Sequence, residues 1–396
     1  MPPAATGLED VEWRRRQRPP AEGLDQGPAD AALDAFLRRL DEALVDLASE
    51  VPDVHGSFPA VAIERLRAIG ALSATVPARL GGIGLGDPAR TWALKRVLIR
   101  IGRCDQVLGR LYEGHVNAHA LVFRYGGIEA QECVAADAEA GRLSGVWNTE
   151  PPEDGVVLDA ETGLLRGRKT HASGAGAVTR PLITAALPGG HVQMLIAPLE
   201  ESERASLSGW RARGMRASAT GTVDFGGYAL ARATLVGAPD RYHEEPFFSG
   251  GAWRFLAVHL GGIEAVHLGH KAHLLRLGRN EDPHQLARLG QSALALETAR
   301  AFVDRAAAIA SGTGDARSAV AYVNLARAAV ERAGLDVIEL AHRSVGLPSM
   351  LESHPLERIT RDLSVYLRQP GPDYALTSAA RRLFEIDGCY LFPGET

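Results

Sequence analysis

The sequence predicts a mainly α-helical chain with a β domain in its middle: an N-terminal helical domain, a small β-barrel or sandwich, and a C-terminal four-helix bundle. Three observations predict it. Helical periodicity dominates up to about residue 140, and alanine-rich helical periodicity returns after Pro246. Between them, from Ser144 to Leu235, lie short apolar or alternating runs parted by Gly and Pro. No helical stretch separates those runs, so they form a barrel or sandwich and not a βαβ sheet.

Taken in order, residues 1–30 are Pro, Gly and charge without periodicity and read as a disordered arm. An N-terminal helical domain covers 31–143. Leu33, Phe36, Leu37, Leu40, Leu44 and Leu47 recur at three and four, one face of an amphipathic helix. Phe58-Pro59 opens a second helix through Ile63, Leu66 and Ile69, closed by Gly70. Val76 to Gly84 is a Gly-rich turn; it lacks the Gly-Lys-Ser/Thr ending of a phosphate loop. Two or three further helices fill 91–140. The β domain covers 144–240, with strand-like runs at 156–158, 164–166, 182–186, 193–197 and 221–225. The bundle covers 241–396, with long helices at 250–276, 283–311 and 315–345. The last stops at Gly346-Leu347-Pro348, and a shorter helix from Pro355 to Leu367 is broken by Gln369-Pro370-Gly371-Pro372.

A chain of 396 residues can bury a large core. Its apolar (46%) and charged (23%) contents are those of a globular protein, and a formal net charge of −5 carries no nucleic-acid footprint. No apolar run reaches the roughly 18 residues of a membrane span. Three cysteines, Cys104, Cys133 and Cys389, form no disulfide framework, which points to a reducing, cytoplasmic compartment.

The chemistry concentrates where two strand-like runs end in small polar residues: Ser144-Gly145-Val146-Trp147-Asn148-Thr149-Glu150-Pro151, then Gly167-Arg168-Lys169-Thr170-His171-Ala172-Ser173-Gly174-Ala175. A strand that stops at Asn-Thr offers backbone N–H groups, a hydroxyl and an amide at one spot. That donor and acceptor set suits a planar heterocycle.

Six segments in this order resemble the acyl-CoA dehydrogenase superfamily. They are Val76-Pro77 with Leu80-Gly81-Gly82-Ile83-Gly84; Trp147 to Pro151; Gly167 to Ala175; Gly214-Met215-Arg216-Ala217-Ser218 with Gly221 and Phe225; Trp253-Arg254; and Pro355-Leu356-Glu357-Arg358-Ile359-Thr360-Arg361-Asp362. The resemblance implies a flavin, FAD with FMN the alternative, between the β domain and the bundle. Asn148 and Thr149 would meet the pyrimidine edge of its ring. His171 stands in place of a tryptophan against the ring, and Ser173 in place of the threonine whose hydroxyl reaches N5. Arg276 or Arg279 would cover a phosphate. Gly346 would approach the pyrophosphate of a neighbouring subunit, which implies a homodimer or homotetramer. The activity implied is oxidation of CH–CH groups in a small-molecule or acyl thioester substrate, with no nucleic-acid or membrane partner.

The sequence departs from that family at the base. A dehydrogenating member needs a carboxylate within reach of the α-proton. The two family positions for it fall on Pro370 and Trp253, and neither side chain takes a proton. Glu113, Glu244, Glu245 and Asp373 are the substitutes to weigh. The acyl-CoA loop reads Pro151-Pro152-Glu153-Asp154-Gly155. The dibenzothiophene-monooxygenase-like branch also lacks the glutamate, and its Ser-Gly-Ala matches Ser173-Gly174-Ala175; its histidine position is Gln369 here. Three readings follow: dehydrogenase, flavin monooxygenase, or inactive flavin or acyl binder. Arg254 and His171 are the candidate catalytic groups, Arg254 as a buried cation facing the flavin or a substrate anion, and His171 as an acid or base near neutrality.

Other constellations have plainer explanations. Glu264/His267 and Glu339/His342 have the spacing of a di-iron bundle site, with Glu297 a third carboxylate and no clear fourth. His267, His270 and His273 do not share one helical face, and His115/His119 lack the glutamate of a zinc motif. No metal is assigned.

Overall fold

The computed structural model describes residues 31–392, so the arm expected over 1–30 lies outside the described residues. The N-terminal helical layer consists of α1 (Ala31–Ala43), α2 (Ala60–Ala68), α3 (Thr91–Cys104), α4 (Gln106–Tyr125) and α5 (Ile128–Glu139). The apolar stripe of α1 is buried through Leu33, Phe36, Leu37 and Leu40. The helix ends at Ala43, before Leu44 and Leu47, with Asp46 in the left-handed region at φ 60°. Asp105 caps α4 by accepting from Leu108 N at 2.9 Å.

Ten short strands follow: β1 (Ser144–Trp147), β2 (Val157–Asp159), β3 (Leu164–Arg166), β4 (Arg168–Ala172), β5 (Arg180–Ala186), β6 (Val192–Ile196), β7 (Ala205–Ser206), β8 (Gly221–Asp224), β9 (Tyr228–Ala229) and β10 (Thr234–Val236). They form a seven-stranded sheet in the order β10-β6-β5-β2-β3-β9, with β1 added beside β5, and a separate sheet β4-β8-β7. β1 runs parallel to β5, Trp147 lying opposite Ile183. The chain makes that crossover through β2–β4 instead of a helix, so the sequence carries no βαβ signal.

The last third is helical: α6 (Trp253–Arg276), α7 (Pro283–Ser311), α8 (Ala316–Val345), α9 (Pro355–Tyr366) and α10 (Pro372–Leu383). Asp282 and Asp315 cap α7 and α8, and Gly346 ends α8 at φ 75°, ψ −155°, a combination open to glycine. The break at Pro370-Gly371-Pro372 also starts a helix that periodicity does not reveal: Gly371 turns at φ 63° and Pro372 takes the first helical position.

The bundle reaches the N-terminal layer through a glycine crossing. A Cβ on Gly261 of α6 would lie 2.2 Å from the carbonyl oxygen of Ile99, and one on Gly102 2.4 Å from that of Val258. Only hydrogen fits at that approach. Two of the motifs also interlock. Arg361 of α9 donates to Arg213 O (3.0 Å), Asp53 (2.6 Å) and Glu357 (2.7 Å), and Asp362 accepts from Met215 N at 2.6 Å. The Gly-Met-Arg and Arg-Asp segments are therefore a clamp between layers. No described helix is long and apolar enough to cross a membrane.

Candidate functional site

The two strand tips meet. The carbonyl of Thr149, just past β1, accepts from Thr170 N of β4 at 2.8 Å, which sets Thr149 beside His171. The register between β4 and β8 shifts between Lys169 and Ala172, and His171 sits at φ 51°. A non-glycine residue held there stores strain of order 1 kcal/mol, a cost that concentrates at functional positions. The His171 ring is exposed and lies edge-on to Trp210, centroids 6.3 Å apart. Trp147 donates its indole N–H to the Ser173 carbonyl at 2.9 Å, which fixes the backbone below the Ser173 hydroxyl.

Beneath the tips runs a buried polar chain. Lys169, wholly buried, donates to Glu150 and to Thr184 Oγ1 (2.9 Å), and Thr184 donates to Asn148 Oδ1 at 2.6 Å. With its oxygen engaged, Asn148 turns its NH₂ outward as a donor. Motif matching passed over Lys169; its neighbours Arg168, Thr170 and His171 are polar, so nothing local in the sequence marks it as the buried member of the strand.

The donor set therefore fits a flavin edge. The Asn148 amide, the Thr149 and Ser173 hydroxyls and the His171 ring edge lie on two neighbouring tips, half-buried or exposed, with Thr170 Oγ1 3.3 Å from His171 Nδ1. Arg279 lies farther off, at the turn after α6, paired with Asp282 at 3.1 Å; Arg276 lies 3.2 Å from His273 Nδ1. Gly346 borders exposed Leu347, Met350 and Leu351.

Helix α4 joins the tips to the bundle. Leu111 packs against Gly174, and Gly114 lies over Gly145 of β1. The next face of α4 carries Arg110, Glu113 and Asn117, one turn apart in steps of three and four. Glu113 is 1% exposed; it accepts from Arg110 at 2.5 Å and from Asn117 Nδ2. Asn117 Oδ1 in turn accepts from Arg254 Nε at 2.5 Å. The Tyr366 hydroxyl of α9 lies beside the Arg110–Glu113 pair and makes no well-formed hydrogen bond. His259 of α6 packs edge-on against Tyr366 at 4.5 Å, its Nε2 buried and unpartnered. Burial lowers the His259 pKa to about 3, so the ring is neutral. Of the four substitute bases, only Glu113 is enclosed beside Arg254. Glu244 pairs with Arg241, Glu245 caps Ser249, and Asp373 is exposed.

The loop after α9 holds Gln369 and Pro370, two of the positions at which the resemblance implied a reacting group. Gln369 spends its amide on the Tyr366 carbonyl (2.8 Å), and Arg327 donates to the Pro370 carbonyl. His115, His119 and His267 are tied into the protein frame. Ser144 N donates to His115 Nδ1 (3.0 Å), so Nε2 carries the proton and donates to Leu72 O (2.7 Å); burial holds the pKa at about 4. His119 binds Thr75. Glu264 faces Arg103 and Arg300, His267 binds Ser292, and Glu339 binds Arg343. Among the described residues no three His, Cys, Asp or Glu gather as metal ligands.

Comparison with known proteins agrees with this architecture. Residues 272–368 match the family model described as acyl-CoA dehydrogenase, C-terminal domain. The chain is 24% identical over 375 residues to a dibenzothiophene monooxygenase of Mycolicibacterium goodii, covering 84% of this chain and 88% of that one. KijD3 in complex with dTDP superposes with a TM-score of 0.76 at 22% identity, over 91% of this chain and 98% of that one. FMN-bound TdsC from Paenibacillus sp. A11-2 gives 0.75 at 18%, over 90% and 98%. Methanesulfinate monooxygenase MsuC from Pseudomonas fluorescens gives 0.74 at 21%, over 90% and 97%.

Proposed function

We propose, from the premise that the chain belongs to the acyl-CoA dehydrogenase superfamily, that it is a flavin-dependent monooxygenase and not a CH–CH dehydrogenase. The observation that carries this is the loop after α9. Where a dehydrogenating member holds its base, this chain has Pro370, its carbonyl tied to Arg327, beside Gln369, tied to the Tyr366 carbonyl. Monooxygenases among the proteins it resembles support the same reading. Reduced FMN is the preferred flavin, since TdsC was solved with FMN and Arg279 is already paired with Asp282. When bound, the reduced flavin supplies two electrons to dioxygen, so that one oxygen atom enters the substrate and the other leaves as water.

The chain's own residues orient and exclude. Lys169 and Thr184 hold the Asn148 oxygen inward, so its NH₂ faces the pyrimidine edge beside Thr149. Trp147 fixes Ser173 next to His171. Acyl-CoA fits poorly: the loop after Thr149 is acidic and closed on itself, Glu150 binding Lys169 and Val156 N, and Asp154 binding Arg168. The exposed Leu275, Leu277, Leu347, Met350 and Leu351 support a homodimer or homotetramer.

Dehydrogenation has one observation in its favour, the enclosed Glu113. Both its oxygens already accept, from Arg110 and Asn117, which suits a fixed counter-ion better than a proton acceptor. The test has two arms, the first anaerobic and the second with labelled oxygen. FMN-loaded protein mixed with a panel of acyl-CoA thioesters keeps its visible flavin band. With NADH, a flavin reductase and ¹⁸O₂, one labelled oxygen enters indole or methanesulfinate. Anaerobic bleaching by any thioester would overturn the proposal.

A further inference from the structure

We infer that Arg254 and Arg110, with the Tyr366 hydroxyl, form a binding site for a single oxyanion, the carboxylate or sulfur oxyacid group of a small substrate. The inference rests on the monooxygenase reading only in calling that anion a substrate.

Charge is the first support. Two guanidinium groups face one carboxylate, Glu113, which Arg110 and Asn117 fully engage. Arg254 has no carboxylate partner among the described residues; its Nε is spent on the neutral oxygen of Asn117. Neutral His259 adds no compensating charge. A site left one positive charge in excess in low dielectric favours an anion.

Geometry is the second. Arg254 lies deep in the molecule, where burial lowers its pKa, yet it keeps accessible surface. Arg110 is 28% exposed although burial also acts on it. Each guanidinium therefore keeps part of its surface clear of protein atoms. With Nε used, the two Nη groups of Arg254 remain as a fork, the arrangement that takes an oxyanion bidentately. The Tyr366 hydroxyl, with the side chain only 6% exposed, lies against Arg110 and Glu113 without a well-formed hydrogen bond to either. Its donor would complete a third contact. Leu111 and Gly114 of α4, on the flank beside this cluster, touch the loop and strand that carry Ser173 and Asn148. An anion held here therefore lies across one helix face from the proposed ring.

The experiment is calorimetric titration of the full chain, without flavin, with acetate, propionate and methanesulfonate, and with propionamide as the uncharged control. The oxyanions bind saturably and propionamide does not; comparing carboxylate with sulfonate identifies the preferred class. Arg254→Gln and Arg110→Gln weaken binding about tenfold or more, and Tyr366→Phe several-fold. Asn117→Asp supplies an internal carboxylate to Arg254 while setting it against Glu113; it abolishes binding in a chain that still unfolds cooperatively in a thermal melt, so loss of fold is not the cause. Absent oxyanion binding in wild type, or binding unchanged in Asn117→Asp and Arg254→Gln, overturns the inference. A separate FMN titration keeps the two ideas apart: anion binding without flavin binding refutes only the flavin reading, and the converse refutes only the anion site.

Discussion

Replacing Lys169 with Met tests how the flavin edge is built. The ammonium is wholly buried and donates to Glu150 and Thr184, and burial lowers its pKa against the opposing pull of Glu150. Breaking a fully buried pair costs about 3–5 kcal/mol. Here Glu150 is 34% exposed and re-solvates, which removes most of that cost. Thr184, 4% exposed, loses one donor to its oxygen, worth about 1 kcal/mol. Met fills the volume and removes the desolvation of a charge. Net destabilisation is then about 1–2 kcal/mol, a drop of a few degrees in melting temperature. The effect on binding is separate. Once Thr184 is free to turn, Asn148 loses the contact that aims its NH₂, about 1–1.5 kcal/mol and close to tenfold in FMN affinity. Fluorescence titration with FMN beside a thermal melt reads both quantities, and Thr184→Val reproduces the binding loss. A folded Lys169→Met protein with wild-type FMN affinity would refute the reasoning, because the pyrimidine edge would then not depend on Asn148.

Four other outcomes are expected. His171→Gly relieves a left-handed backbone and loosens the unfolded chain by a similar amount, so the melting temperature moves by less than the equivalent of ~0.5 kcal/mol while FMN binding weakens. Gly261→Ala drives a methyl to 2.2 Å from the Ile99 carbonyl and lowers stability by about 2 kcal/mol or more, measured by urea unfolding. Asp362 is raised from 3.8 to about 6, mainly by burial and then by Asp105. Its folded form holds a proton that the unfolded chain has released, so its contribution to stability falls as pH rises through that window, by ~3 kcal/mol at most. Unfolding of wild type and Asp362→Asn across pH 4 to 7 shows that slope in wild type alone. Gel filtration with light scattering gives a dimer or tetramer, and charged substitutions at Leu347 and Leu351 shift it toward monomer.

Much of this molecule was legible in the order of its residues. Apolar spacing located the long helices to within a few residues, because a helix face repeats locally at three and four. The strand tips at Asn148-Thr149 and His171-Ser173 were legible because small polar residues ending a strand are a local pattern. So was the character of Pro370 and Trp253, where the residue type alone excludes proton transfer. The helix at Pro372–Leu383 was not, since the proline pair that ends one helix also starts the next.

Tertiary structure decided the rest. Glu113, Glu244, Glu245 and Asp373 look alike in sequence; only folding encloses Glu113 and brings Arg254 to it from far along the chain through Asn117. Lys169 looks like any strand lysine until burial forces it to find Glu150 and Thr184. The physical reason is common to both. Periodicity reports on neighbours within a turn or two, whereas the energy of a charge is set by the dielectric and by partners delivered from distant segments.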